Sequence, residues 1–68
     1  MPIITVNWYP GRTPEVKNEI AQALTEVMVK YAKSAPEHVW ILFNEQGKEN
    51  WAFGGVLASE GGKPPSAS

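Results

Sequence analysis

Ile3-Ile4-Thr5-Val6-Asn7-Trp8-Tyr9-Pro10-Gly11-Arg12-Thr13-Pro14-Glu15 decides how the chain folds, because a strand pattern and a helix start meet inside it. Residues 3–9 are β-branched and aromatic, with Ile4, Val6 and Trp8 on one face and Ile3, Thr5, Asn7 and Tyr9 on the other, which reads as a strand. Pro10-Gly11-Arg12 breaks it. Thr13 then offers a capping hydroxyl, and Pro14 sits where a helix has no use for its missing N–H. Across Glu15 to Lys33 the apolar residues Val16, Ile20, Leu24, Val27, Met28 and Tyr31 recur three and four apart, with Ala21, Ala23 and Ala32 between them. That spacing predicts a one-faced helix of about five turns. Ser34-Ala35-Pro36 stops it, since a residue before proline is pushed out of the helical region.

Downstream, His38 to Phe43 forms a second apolar, β-rich run, and Asn44 to Lys48 reads as a polar loop. Strand, long helix and strand make a β-α-β unit, whose right-handed crossover implies two parallel strands. Trp51-Ala52-Phe53-Gly54-Gly55-Val56-Leu57 reads as a short hairpin at an interface, with a glycine pair for a tight turn. The fold class is therefore α+β. Residues 1–59 form the folded domain, and 60–68, Glu-Gly-Gly-Lys-Pro-Pro-Ser-Ala-Ser, form a flexible carboxyl-terminal tail.

Composition limits what such a unit can do. A chain of 68 residues buries only about 60% of the surface its unfolded form exposes, and a two-stranded sheet is marginal alone. It has no cysteine and one histidine, so neither disulfides nor a thiolate or His-rich metal site supplies the missing stability. Small scaffolds without such staples gain stability by assembling, so an oligomer is expected. Six basic against seven acidic residues leave a net charge of −1, with no footprint for nucleic acid or an anionic membrane. No apolar run approaches the length of a membrane span and no signal-peptide core follows Met1, so the expected location is the cytoplasm.

Two residues stand out chemically. Removal of Met1 would make Pro2 the free amino terminus, a secondary amine. Such α-amino groups already titrate close to neutral pH, and apolar surroundings lower them further, which suits a general base. Strand residues begin immediately after it and anchor the amine. Arg12, the only arginine, presents a planar fork suited to capturing a carboxylate. A strand of about six residues spans ~20 Å, so Arg12 and the Pro2 of its own chain can cooperate only across a subunit boundary.

Pro2-Ile3-Ile4, Gly11-Arg12, the Thr13-Pro14-Glu15 helix start, Ser34-Ala35-Pro36 with Val39, and Phe53-Gly54-Gly55-Val56-Leu57-Ala58 together resemble the 4-oxalocrotonate tautomerase family of the tautomerase superfamily. The resemblance spans residues 2 to about 59 and rests on the order and spacing of motifs that are individually weak. It implies that two β-α-β subunits join into a four-stranded sheet with both helices on one face, and that three dimers make a hexamer. It implies a keto-enol tautomerase acting on an unsaturated or aryl 2-hydroxy or 2-oxo acid. In that reading Pro2 shuttles a proton between the oxygen and carbon ends of an enol. Arg12 of a neighbouring subunit binds the substrate carboxylate, and Trp51 takes the place of an aromatic wall, usually phenylalanine, beside the amine. No metal or organic cofactor is implied.

The chain departs from that pattern at Trp40, where well-studied members carry a second arginine. An indole has one N–H and no charge, so a diacid gripped by two arginines would lose about 1.5–3 kcal/mol here, roughly ten- to a hundredfold. Trp40 and Trp8 join Trp51 as candidate substrate-binding residues, with Tyr9 beside Trp8 as a possible border. His38 is expected at a solvated edge. Two alternatives remain: a hydratase or dehalogenase of the same superfamily, with Glu49 as the carboxylate nearest Trp51, or a non-catalytic subunit of a mixed oligomer.

Overall fold

The computed structural model describes residues 1–64. The first strand, β1, runs over Ile3–Trp8, the helix α1 over Pro14–Ala32, and the second strand, β2, over Trp40–Glu45. β1 and β2 lie parallel and pair Ile3 with Trp40 through to Trp8 with Glu45. Side chains alternate along both: Ile4, Val6, Trp8, Ile41 and Phe43 are half-buried, while Ile3, Thr5, Asn7, Trp40, Leu42 and Asn44 are exposed. The half-buried face is the one a β-α-β crossover turns toward its helix. An ion pair between Lys17 and Glu45, 2.6 Å, ties the first turn of α1 to the end of β2.

α1 starts as its sequence dictates. The Thr13 hydroxyl accepts the Val16 N–H at 3.2 Å, with Pro14 opening the helix. Its end is set one step earlier than Ser34-Ala35-Pro36: Lys33 adopts the left-handed conformation, φ 59°, and its N–H returns to the Met28 carbonyl. The expected apolar face divides in two. Ile20, Ala21, Leu24, Thr25, Met28 and Val29 are half-buried, but Val16, Val27 and Tyr31 remain 40%, 48% and 72% exposed. At about 100° per residue these three fall within roughly 60° of one another, a second stripe turned away from the sheet's centre.

The second strand starts two residues later than its composition suggests. Pro36 opens a single 3₁₀ turn, Pro36–His38, and the Val39 N–H returns to the Pro36 carbonyl at 3.1 Å. At the other end, Asn44 and Glu45 belong to β2 rather than to a loop, because their backbones pair with Asn7 and Trp8 and Asn44 Nδ2 donates to Asn7 Oδ1 at 2.9 Å. The amide line continues from Gln46 to Asn44 Oδ1 and from Asn50 to Gln46 Oε1. Local polar pairing here overrides the loop-like composition.

After a 3₁₀ turn at Lys48–Asn50, the expected hairpin forms from β3, Ala52–Phe53, and β4, Val56–Leu57. Gly54 and Gly55 hold φ of 60° and 85°, which two-residue hairpin turns require and other residues resist. A 3₁₀ turn at Ala58–Glu60 follows, and the Gly62 N–H reaches the Leu57 carbonyl. Residues 65–68 of the expected tail lie outside the described residues.

Among the described residues no side chain reaches full burial. The chain exposes 5178 Å², where a compact protein of its 7.5 kDa exposes about 4,250 Å². Its radius of gyration is 15.4 Å, against about 11 Å for a compact chain of this length.

Candidate active site

The carboxyl end of β1 carries the richer half of the site. Arg12 follows the Pro10-Gly11 turn, in which Gly11 takes φ 131°. Its Nη1 donates to the Tyr9 carbonyl at 2.9 Å, and its guanidinium lies 4.5 Å from the centre of the Trp8 ring. Trp8 in turn stacks on Phe43, 5.2 Å between centroids and 16° between planes. The guanidinium is therefore laid on an indole that β2 supports from the other side, and four of its five N–H donors remain for a ligand.

Trp51 closes the opposite wall. Its indole Nε1 donates to the Gln46 carbonyl at 3.0 Å, and its backbone carbonyl accepts the Ala58 N–H at 2.8 Å. The Tyr9 ring meets it edge to face, 5.5 Å and 81°, a geometry that aromatic pairs favour. Trp8, Tyr9, Arg12, Trp51, Phe53 and Pro64 line an open cavity of about 310 Å³, near the lower limit of small-molecule sites. The carboxyl end thus assembles Trp8, Arg12 and Trp51 of the expected residues. It adds Tyr9, which the sequence placed only at the border, and Phe53, which alternation with Trp51 two residues earlier signals.

Pro2 and Trp40 stand at the other end of the sheet. Pro2 is half-buried, and its carbonyl accepts the Trp40 N–H at 3.0 Å, one rung beyond the strand pairing. Trp40 is 52% exposed and shares the uncovered sheet face with Ile3 and Leu42. It does not border the Arg12 cavity, and neither does Pro2. β1 separates the two groups by ~20 Å.

The remaining candidates lie outside both clusters. His38 is exposed on its 3₁₀ turn. The Glu49 carboxylate folds back on Gly47, where an added Cβ would sit 2.6 Å from its oxygens, and it does not line the cavity. A wider apolar groove of about 490 Å³ runs along α1 between Ala21, Thr25, Val29 and Pro36, and shares no residue with either end of β1. Among the described residues no cluster of His, Cys, Asp or Glu could hold a metal ion, and no helix is long and apolar enough to cross a membrane.

Fold and cavity define the class first: a small β-α-β protomer, incompletely packed alone, with an arginine on an aromatic platform at the end of its first strand. The family model for tautomerase enzymes matches residues 2–61. A probable tautomerase of Ralstonia nicotianae is 30% identical over 60 residues, covering 88% of this chain and 92% of that protein. Among solved structures, a 4-oxalocrotonate tautomerase isozyme of Methylibium petroleiphilum is 40% identical, with a TM-score of 0.76 over 85% of this chain and 91% of its own. A heterohexameric 4-oxalocrotonate tautomerase of Chloroflexus aurantiacus is 25% identical, with a TM-score of 0.75 over 88% and 97%. The chain belongs to the tautomerase family, in the group of 4-oxalocrotonate tautomerases.

Proposed function

We propose that the chain is a keto-enol tautomerase that works only when assembled, acting on an unsaturated 2-hydroxy or 2-oxo acid, aliphatic or aryl. With Met1 removed, the Pro2 nitrogen accepts the proton of the enol oxygen and returns it to carbon, leaving the keto acid. Arg12 of a neighbouring copy holds the carboxylate and steadies the negative charge that develops as the oxygen loses its proton. The apolar cluster around Trp51 keeps the amine unprotonated.

One observation carries the reading: the candidate base and the carboxylate anchor sit at opposite ends of one rigid strand, while one sheet face leaves Ile3, Trp40 and Leu42 exposed. Each end is half of a site, and a second copy supplies both the missing half and the missing packing. A neighbour's Pro2 entering the mouth of the Arg12 cavity would face Trp51 and Tyr9. Joining two copies into a four-stranded sheet, and three such dimers into a hexamer, is the assembly this requires.

Following ketonisation of phenylenolpyruvate and of 2-hydroxymuconate by ultraviolet absorbance tests the proposal. Wild-type protein with Met1 removed should accelerate at least one of them, and Pro2→Ala and Arg12→Ala should each lose most of that rate. Equal inertness of wild type and Pro2→Ala would end the enzymatic reading.

A further inference from the structure

Every side chain around the Arg12 cavity except Arg12 itself is aromatic or proline: Trp8, Tyr9, Trp51, Phe53 and Pro64. The cavity therefore offers one positive charge and walls of π-surface. No lysine lines it, and Lys17, in the first turn of the helix, has its ammonium on Glu45. At the other end of β1, the half-site of Pro2 presents Trp40, which has no charge to add. We infer that this cavity selects a planar aromatic monocarboxylate, and that an aliphatic dicarboxylate is a poor ligand; the inference rests on the proposed tautomerase reading and narrows its substrate class.

Geometry and charge point the same way. Arg12 lies 4.5 Å from the centre of the Trp8 ring and spends one donor on the Tyr9 carbonyl, which holds the guanidinium in place and leaves other N–H donors for a two-point grip on one carboxylate. The Tyr9 and Trp51 rings already meet at 81°, so a third ring entering between the walls finds both an edge and a face to pack on. A volume of about 310 Å³ suits a ring bearing a three-carbon acid better than a large ligand. A second carboxylate would find no second cation in the lining and only neutral donors, the unpartnered Trp8 indole N–H and the Tyr9 hydroxyl, and stripping water from a charge so weakly compensated is unfavourable.

Binding, rather than turnover, tests the selectivity. trans-Cinnamate, crotonate and trans,trans-muconate are titrated into the assembled wild-type protein by calorimetry, with assembly confirmed for each variant. Cinnamate should bind at least about tenfold more tightly than either crotonate, which lacks the ring, or muconate, which has a second carboxylate. Arg12→Ala and Trp51→Ala should each weaken cinnamate about tenfold or more. Trp8→Leu should weaken it about fivefold by releasing the guanidinium, whereas Trp8→Phe should restore near-wild-type binding because the aromatic platform remains. If Arg12→Ala fails to assemble, Arg12→Lys replaces it and should still lose affinity, since a point charge lacks the fork. Muconate binding as tightly as cinnamate, or cinnamate binding indifferent to both Arg12 and Trp51, overturns the inference. Tight cinnamate binding by a protein that ketonises no enol would refute the proposed activity and leave the cavity assignment standing. Ketonisation with muconate as the preferred ligand would do the reverse.

Discussion

The Pro2 carbonyl accepts the backbone N–H of Trp40 at 3.0 Å, so the residue that would present a free amine is fastened to the sheet by its own peptide group. At the far end the Gln46 N–H donates to the Trp8 carbonyl at 2.9 Å and closes the ladder one rung beyond Glu45. Both candidate half-sites are therefore mounted on the same hydrogen-bonded ribbon, and neither can swing toward the other without breaking it. That rigidity turns a question of chemistry into one of assembly.

Subunit complementation follows from it. Pro2→Ala and Arg12→Ala proteins, each inactive, are mixed in equal amounts, dissociated and reassembled. A site with its base from one copy and its anchor from another is intact whenever an Arg12→Ala subunit lends Pro2 and a Pro2→Ala subunit lends Arg12. Random mixing makes about a quarter of the sites intact, and about that fraction of the wild-type rate should return. No recovery after verified mixing would place both groups in one copy, which the ~20 Å length of β1 forbids without refolding.

The pH dependence has a definite sign. A proline amine acting as base works in its neutral form, so kcat/KM should rise with pH through its titration and then level off. An apolar wall disfavours the charged amine and moves that limb below the ordinary α-amino range; Trp51→Ala readmits water and should move it to higher pH. Kinetic profiles of the two proteins, with ¹⁵N-proline titration by NMR, measure both shifts. A limb that falls with rising pH in the same range would identify a protonated amine, as the hydratase reading needs.

Much of this molecule was legible in its sequence, for physical reasons that also mark where legibility ended. Alternation over Ile3–Trp8 and the Thr13-Pro14 cap are local signals, and both elements formed where they pointed. The pair Gly54-Gly55 likewise announced a turn that only positive φ satisfies. Asn44 and Glu45 misled because their strand conformation depends on partners 37 residues away, such as Asn7. Val16, Val27 and Tyr31 have helical spacing but stay 40%, 48% and 72% exposed in a single copy, so periodicity overstated the face one protomer buries. For the site, residue type singled out Arg12 and the family resemblance pointed to Trp51, but the Trp8 platform and the Tyr9 edge contact arise from packing that no spacing rule encodes.

Lys33 is a point of strain whose relief is measurable. It is the one described residue other than glycine with positive φ, 59°, and it terminates α1. An L-residue in that conformation costs about 1–2 kcal/mol, which glycine avoids. Lys33→Gly should stabilise the protein by about 1 kcal/mol, raising its melting temperature by roughly 4–8 °C per protomer-sized unit. Activity should not change, because Lys33 lies in neither half-site.

Leu42 tests whether the uncovered sheet face is the assembly surface. It is 59% exposed and shares that face with Trp40 at 52% and Ile3 at 62%, an apolar patch that soluble monomers seldom leave open. Beneath it the opposite face of β2 packs through Ile41 and Phe43, so changing Leu42 leaves the protomer's own interior alone. Leu42→Lys places a charge where a neighbouring copy would have to strip its water, at a cost of several kcal/mol unless it finds a partner. Sedimentation velocity should then show smaller species at concentrations where wild type is assembled. Ketonisation should fall with the assembled fraction and return as protein concentration rises, a recovery that damage to the half-sites themselves would not give. An unchanged sedimentation coefficient would move the interface elsewhere, and the exposed stripe of Val16, Val27 and Tyr31 on α1 would be the next surface to charge.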